Sequence, residues 1–543
     1  MHYVEGHQAY YTLKDMLDYN TDKHKERTAL QFVDGTQKYT YGELKQKVDW
    51  LAARLAECGM GVGEKAIILA ENMPNWVVAF LALTTSGRVA VPMMTKLTET
   101  ELEGLVRHSD SKVAFVSEKM MGKLTDNLKA ELDTIICLDT LDIAKVPADA
   151  QPATKVRAVS SGDMAAIIYT SGSSGRPKGV MLSHKNFCHN ILALNFAIPL
   201  GNQGCCLSIL PLFHVYELSI ECLFALSVGV KILYFQQSLT PDNLLPVLKQ
   251  VRPTYFCCVP LVIEMLFGKS VQSMLSSHPM IGKLKQGSPK LYYRLAASRF
   301  KRLIGGKCKY IGIGGSKLSP DVEKCLLNAQ ASYVFGYGMT ETAPLILLAN
   351  GKYRSVGSAG TAAHGVKVRI NTPDNDGVGE LLVKGDNVML GYYKDPELTA
   401  GAIDKEGWFH TNDMAKKDTD GLYYLQGRKD NVIVGPSGEN ICPEEMERVL
   451  NAHAQVEESI VVGYRKQLVG LVTLKQGTAY PDNQDGLVRL QDELLAFTNQ
   501  RISDKAKLTR MVILKEPFEK TETHKIKRYK YVQNIEELLR KES

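Results

Sequence analysis

Short runs of β-favouring apolar residues alternate along the first part of the chain with segments long enough to be helices. The runs are 65–70, 89–91, 113–116 and 134–138, separated by stretches such as 74–86 and 98–108. This alternation predicts βαβ units. The rhythm resumes after a connection containing Pro, Ala and Ser near 147–162, with strands expected at 164–168, 207–210, 231–235, 255–259 and 310–313. Two layered α/β subdomains are the expected result. From about Lys352 the texture changes to short strands and Gly/Asp turns at 366–370, 379–383 and 422–425, which predicts a small β subdomain. Past Arg428 a mixed segment carries strands at 459–464, 468–474 and 511–514 and a helical pattern at 487–501. The expected fold is therefore a multidomain α/β chain. Residues 1–428 are expected to form the large N-terminal domain, with residues 429–543 a separate, lid-sized α+β domain.

Length and composition agree with several packed units. At 543 residues the chain exceeds a single core, and 45% hydrophobic with 23% charged residues describes an ordinary globular protein. The net charge of +6 is small against 65 basic and 59 acidic residues, so it is no argument for nucleic-acid binding. Eleven cysteines without C-x-x-C spacing, two pairs of them inside apolar runs, fit buried thiols in a reducing cytoplasm. The most apolar region, 205–235, is interrupted by Pro211, His214, Glu217, Glu221 and Lys231, so no membrane span is expected.

The chemistry starts at Tyr169-Thr170-Ser171-Gly172-Ser173-Ser174-Gly175-Arg176-Pro177-Lys178-Gly179, directly after an apolar run. Hydroxyls, glycines that admit an anion close to the backbone, and one lysine make a phosphate cradle. It is not a Walker loop, because Lys178 follows proline and precedes Gly179; Gly268-Lys269-Ser270 fails too, with Ile263 where the first glycine belongs. Four further segments stand out. Gly336-Tyr337-Gly338-Met339-Thr340-Glu341-Thr342 could stack a base and hold a metal. Gly407-Trp408-Phe409-His410-Thr411-Asn412-Asp413 ends in a carboxylate suited to ribose hydroxyls. Gly427-Arg428-Lys429-Asp430-Asn431 lies at the expected domain boundary and is followed by Ser437-Gly438-Glu439-Asn440. The run 520–528 is basic and ends Thr523-His524-Lys525-Ile526-Lys527-Arg528.

In this order the five motifs resemble the adenylate-forming superfamily of acyl-CoA synthetases, carrier-protein-loading adenylation domains and beetle luciferases. The resemblance runs from Tyr39-Thr40-Tyr41-Gly42-Glu43-Leu44 to Arg528 and includes Gly379-Glu380-Leu381-Leu382-Val383-Lys384-Gly385 and Gly391-Tyr392-Tyr393. Ile313-Gly314-Gly315-Ser316 and the C-terminal ending look most like a bacterial-type medium- or long-chain fatty acid–CoA ligase. The resemblance implies a two-step reaction using ATP, Mg2+ and coenzyme A. A carboxylate attacks the α-phosphate and expels pyrophosphate, and a thiol then takes the acyl group.

Carried over residue by residue, Thr170, Ser171, Gly172, Ser173, Ser174, Gly175 and Lys178 would hold the β and γ phosphates, and Thr340 the α-phosphate. Glu341 would position Mg2+. Tyr337 would stack on adenine with backbone near Gly315 and Ser316, and Asp413 with Arg428 would fix the ribose. Lys525 would neutralise charge between carboxylate and α-phosphate, and His214 would border the carboxylate. Asp430 matches the hinge, with Gly435, Ser437, Gly438 and Glu439 along a path for pantetheine. Two departures from the family pattern are Asn412, where Gly is common, and His524 before Lys525.

The alternatives are a stand-alone adenylation enzyme loading an acyl carrier protein, an aryl acid–CoA ligase, a luciferase, and a catalytically dead nucleotide-binding scaffold. The last is disfavoured because Lys178, Glu341 and Lys525 are all kept. A dinucleotide dehydrogenase is disfavoured because Gly312-Ile313-Gly314-Gly315-Ser316-Lys317 lacks the last glycine of its motif. A fatty substrate would make peripheral membrane contact useful, although no amphipathic helix stands out along the chain.

Overall fold

The computed structural model describes the chain except residues 1, 5–6, 147–157, 172–176, 278–280, 329–332, 352, 435–439, 466, 479, 481–482, 503–506, 521–525 and 542–543. At 2–4, 171, 269–277, 282, 285, 328, 434, 440 and 541 it describes the backbone alone. Two large sheets dominate. The first has eight strands, and Lys65–Leu69, Val89–Pro92, Val113–Val116 and Thr134–Cys137 run parallel at its centre. The second has nine, with Cys205–Ser208, Lys231–Tyr234, Tyr255–Cys258, Tyr310–Gly314 and Tyr333–Gly338 parallel. The expected strands are present, but the sheets do not divide the chain at the 147–162 connection. Met164–Ser171 returns to the first sheet, beside Val89–Pro92, and Thr28–Phe32 joins the second, beside Lys231–Tyr234. The periodicity that marks a strand carries no information about its distant partner, so the exchange was invisible in the pattern.

The helix Pro74–Thr85 explains how the two sheets share one core. Every residue from Pro74 to Thr84 is buried, and the helix packs against strands of both sheets. A helix apolar on all sides is stable only where both flanks are covered. Where helices meet solvent, their starts are capped. Thr40 and Glu43 exchange side-chain and backbone hydrogen bonds at the head of Tyr41–Glu57, and Thr98 and Glu101 do the same for Glu99–Ser109. The Thr40-to-Leu44 motif is therefore a helix start in the described structure.

The small β subdomain is an antiparallel sheet of Lys367–Asn371, Gly379–Lys384, Phe409–Lys417 and Tyr423–Arg428. Beyond it, Val456–Tyr464, Gln467–Leu474 and Arg510–Leu514 form a three-stranded sheet with a separate apolar cluster on each face. The helices Pro443–Leu450 and Gln484–Asn499 contribute to one cluster, and Phe518, Ile535 and Leu539 to the other. Arg528 is fixed in this unit. Its guanidinium reaches both carboxylate oxygens of Glu447 at 2.5 and 2.7 Å and the Val461 carbonyl at 2.8 Å. Both side chains are largely buried, so removing either partner would cost about 3–5 kcal/mol. Arg528 is thus committed to structure.

The largest departure from pattern reasoning lies within the apolar segment 205–235. Glu217 and Glu221 sit on a π-helical turn, Glu217–Leu223, and both are fully buried. Ser208 donates to Glu217 Oε1 at 2.5 Å, and the protonated Glu221 carboxyl donates to that of Glu217. Burial pushes Glu217 up to about 7, and burial together with the neighbouring Glu217 raises Glu221 well above its ordinary range. The folded chain therefore holds this proton more tightly than the unfolded chain. Its contribution to stability is complete below the ordinary glutamate value and is lost as pH rises through about 7. Glu217→Gln, which leaves only Glu221 to titrate, should lessen that loss. Thermal unfolding at pH 5 and pH 8 is expected to show the variant gaining on the native chain at the higher pH. A constant offset between the two proteins would contradict the assignment.

Candidate active site

The hairpin of Met164–Ser171 and Pro177–Ser183 carries the hydroxyl- and glycine-rich loop, with Thr170 opposite Lys178 and Ser171 opposite Pro177. Gly172, Ser173, Ser174 and Gly175 at its tip lie outside the described residues, as do Gly435, Ser437, Gly438, Glu439 and Lys525. The side chain of Lys178 is half-buried, with Nζ 5.5 Å from the centre of the Tyr392 ring. The Tyr392 hydroxyl in turn donates to Glu341 Oε1 at 2.9 Å. Tyr392 is pinned because Gly391–Tyr392 pairs with the hairpin, Tyr392 opposite Val180. Burial, aided by the Glu341 carboxylate, holds its hydroxyl proton well beyond the usual range, so it acts as a donor.

Glu341 and Thr340 lie on a single turn, Thr340–Thr342, that follows the strand Tyr333–Gly338. The turn folds back tightly: Met339 N donates to the Pro344 carbonyl at 2.9 Å, and Thr342 Oγ1 donates to the same oxygen at 2.5 Å. A Cβ on Gly338 would stand 1.7 Å from that oxygen, so only glycine closes this turn. The result places Thr340 and Glu341 at the carboxyl end of a parallel strand, where open α/β sheets bind ligands.

Tyr337, on the same strand, donates from its hydroxyl to Asp413 Oδ2 at 2.5 Å. Arg428 Nη1 reaches Asp413 Oδ1 at 3.0 Å, the two residues facing each other across paired strands of the small subdomain. Burial opposes the Arg428 charge, but the Asp413 carboxylate outweighs it and raises the guanidinium pKa. Burial and the same carboxylate hold the Tyr337 hydroxyl protonated. One carboxylate thus joins the large sheet to the small one. Just before it, Asn412 has φ +60°, a left-handed conformation that Asn tolerates better than most residues. The Asn412 side-chain amide donates to Asp430, which also lies 3.8 Å from the Arg428 guanidinium.

The segment 427–431 is tied down on two further sides. Glu380 accepts from Lys429 Nζ at 2.9 Å, from the Asn412 N–H at 3.3 Å, and pairs with His410 at 3.2 Å. Burial works against its charge, yet Lys429 and His410 keep its pKa below the ordinary value. From the C-terminal side, Glu444 Oε1 accepts from Arg428 N at 3.3 Å and from Asn431 Nδ2 at 2.6 Å. A Cβ on Gly427, at φ +152°, would lie 2.3 Å from Glu444 Oε2.

His214 lies in the connection between the strand Cys205–Ser208 of the second sheet and the π-helical turn Glu217–Leu223. Tyr216 N donates to its Nδ1 at 3.3 Å, so the neutral ring carries its proton on Nε2. The preceding loop is held by Asn72, which donates to the Leu210 carbonyl at 2.5 Å and accepts from Leu212 N at 2.8 Å. The Tyr216 ring packs against the backbone of Gly312 and Gly314. Gly315 follows at φ +94°, and Ser316 is exposed.

The structure therefore brings Lys178 to Glu341, joins Tyr337, Asp413 and Arg428, and links Asp430 to that group through Asn412. Tyr392 and Glu380 belong to the same assembly, although sequence reasoning quoted them only within motifs. Their presence beside glycine in two short runs, 379–385 and 391–393, was the available signal. Glu341, with one oxygen bound by Tyr392, and the adjacent Thr340 hydroxyl fit a Mg2+ ion that takes its other ligands from phosphate and water. Among the described residues no three His, Cys, Asp or Glu side chains form a self-sufficient cation cage.

Comparison with known proteins agrees with this geometry. The AMP-binding enzyme family model matches residues 17–393, and the AMP-binding enzyme C-terminal domain model matches residues 430–541. A feruloyl-CoA synthase of Amycolatopsis sp is 29% identical over 481 residues, covering 86% of this chain and 88% of the relative. A long-chain-fatty-acid–[acyl-carrier-protein] ligase of Arabidopsis thaliana is 28% identical over 550 residues, covering 84% and 75%. ATP-bound MatB from Rhodopseudomonas palustris shares the fold at TM-score 0.77 with 22% identity, covering 97% of this chain and 99% of that one. With its fold, its clustered motif residues and a family model spanning most of its length, the chain belongs to the AMP-binding enzymes, the adenylate-forming superfamily, and is an AMP-forming acid–thiol ligase that works with ATP and Mg2+.

Proposed function

We propose that the protein is an acyl-CoA synthetase that activates a fatty acid as its acyl-adenylate and transfers the acyl group to coenzyme A. The observation that carries this reading is the position of Asp413, 2.5 Å from the Tyr337 hydroxyl and 3.0 Å from Arg428, with Glu341 on the turn that follows Tyr337's strand. A carboxylate oriented by an aromatic hydroxyl and a guanidinium suits a ribose, and the Tyr337 ring beside it suits adenine. Thr170 to Gly175 and Lys178 hold the departing pyrophosphate, and Thr340 donates to the α-phosphate. The Gly315 backbone and Ser316 border the base. Bound Mg2+ supplies charge neutralisation at the phosphates, and Glu341 is its ligand.

In the first step a carboxylate oxygen bonds to the α-phosphorus and the bond to pyrophosphate breaks, with His214 at the carboxylate and Lys525 neutralising the charge between the reacting groups. In the second, the CoA sulfur bonds to the acyl carbon, AMP departs, and the thiol proton is released. The domain boundary falls at 428/429, with Asp430 as the hinge and Gly435, Ser437, Gly438 and Glu439 along the CoA path. Its contacts with Asn412 and Arg428 support a role for Asp430 in setting one domain orientation. The apolar sequence neighbours of His214, Leu212, Phe213 and Val215, support an aliphatic acid, with an aryl acid as the competing substrate. The Arabidopsis relative supports a second acceptor, an acyl carrier protein. All eleven cysteines are free thiols, which supports a reducing, cytoplasmic setting.

The test is purified protein with ATP, Mg2+ and a panel of acids from acetate to long-chain fatty and aromatic acids, with and without CoA, following AMP and products by mass spectrometry. Thioester with fatty acids of one length class is expected. Thioester with aromatic acids alone would overturn the substrate class, and adenylate accumulating despite CoA would overturn the acceptor. Lys525→Ala should lower adenylate formation about 10²-fold or more while retaining conversion of supplied acyl-adenylate and CoA to thioester. Equal loss of both half-reactions would contradict the assigned role.

A further inference from the structure

The net positive charge of this protein resides in one segment. Between Glu264 and Asp321 the chain contains eleven Lys and Arg residues and no Asp or Glu, and the rest of it carries 54 basic against 59 acidic residues. The segment forms the helices Pro260–Ser277, Ile281–Gly287 and Pro289–Leu303, inserted between the strands Tyr255–Cys258 and Tyr310–Gly314. The last helix is two-faced. Tyr292, Ala296, Ala297 and Phe300 are buried, Phe300 against the core over the second sheet. The opposite face exposes Lys290, Arg294, Lys301 and Arg302 together with Leu291 at 48% and Leu295 at 38%. At the head of the first helix Leu261 is 66% exposed, two residues beyond Val259, whose Cγ1 lies 3.5 Å from where a Cβ on Gly315 would stand. Of the two carboxylates on the neighbouring helix Pro320–Asn328, Glu323 is buried and accepts from Gly357 N at 2.7 Å, which leaves Asp321 as the one exposed acid on that helix against the eleven basic residues of the segment.

We infer that this face docks the protein on an anionic lipid surface. A stripe of lysines and arginines attracts acidic headgroups, and leucines on the same exposed arc enter the acyl boundary, the division of labour of interfacial amphipathic helices. An acidic protein would satisfy the charges but leave no reason for leucines interleaved at one-turn spacing with them. Leu261 extends the apolar exposure toward the Val259–Gly315 wall of the site, so docking here would bring that wall toward the bilayer. The inference rests on charge and exposure, and stands or falls separately from the identity of the acid activated.

The test is flotation of the purified full-length protein with vesicles of phosphatidylcholine, alone or mixed with phosphatidylglycerol, at low and high salt. Binding to the anionic vesicles alone, weakened by salt, is expected. The variant K290E/R294E/K301E/R302E should bind at least about tenfold more weakly with an unchanged melting temperature. L291S/L295S, which keeps the charges, should also bind more weakly, and it keeps the question open to measurement if the charge variant fails to fold. Equal binding to neutral vesicles, no binding to either, or undiminished binding by both variants would overturn the inference. So would retention of a purified acidic carrier protein by this face in the absence of any vesicle binding.

Discussion

The Asp413 carboxylate is the constraint from which the site is organised. Tyr337 reaches it from the large nine-stranded sheet, and Arg428 reaches it from the last strand before the C-terminal unit. Charge-assisted hydrogen bonds of this kind are short and directional, so they fix the relative placement of the two sheets. They also hold Arg428 where its backbone N–H meets Glu444 and its side chain lies near Asp430. The segment 428–431 therefore inherits its position from the same group that is proposed to orient the ribose. A change at Asp413 would reach Tyr337 on one side and, through Arg428, Glu444 on the other.

Much of this was legible in the chain, for reasons that differ by element. The strands at 65–69, 113–116, 255–258 and 310–314 were readable because parallel strands buried on both faces are short runs of apolar, β-branched or aromatic residues. Their assignment to sheets was not, since Met164–Ser171 and Thr28–Phe32 pair with strands far from them in sequence. Among site residues, Tyr337, Glu341, Asp413 and Arg428 stood out by motif. Tyr392 stood only as part of the Gly391-Tyr392-Tyr393 motif with no role of its own, because its bridging of Lys178 and Glu341 depends on strand pairing with the hairpin. Asn412 shows a departure from the family pattern being absorbed: the position requires a left-handed backbone, Asn adopts it, and its side chain gains a contact with Asp430 that glycine could not make.

Two readings changed in physical meaning once the fold was known. Glu217 and Glu221 argued against a membrane span in sequence, and in the fold they are a buried acid pair on a π-helical turn three residues after His214. Such turns often occur near functional sites, and the cost of burying two carboxyls there is borne by keeping them protonated. Whole-chain charge was equally misleading. A net of +6 looks unremarkable until its source is localised to one helical segment, and the amphipathic face of Pro289–Leu303 becomes evident only when burial separates Tyr292 and Phe300 from Leu291 and Leu295.

The most direct measurement of the central claim is calorimetric titration of ATP into the native protein and Asp413→Asn, with circular dichroism confirming that both are folded. Replacing the carboxylate by an amide removes the charge that holds Arg428 and accepts from Tyr337. If Asp413 organises the nucleotide site, affinity should fall roughly tenfold to a hundredfold, the worth of one or two charge-assisted hydrogen bonds. Unchanged affinity in a folded variant would contradict the account.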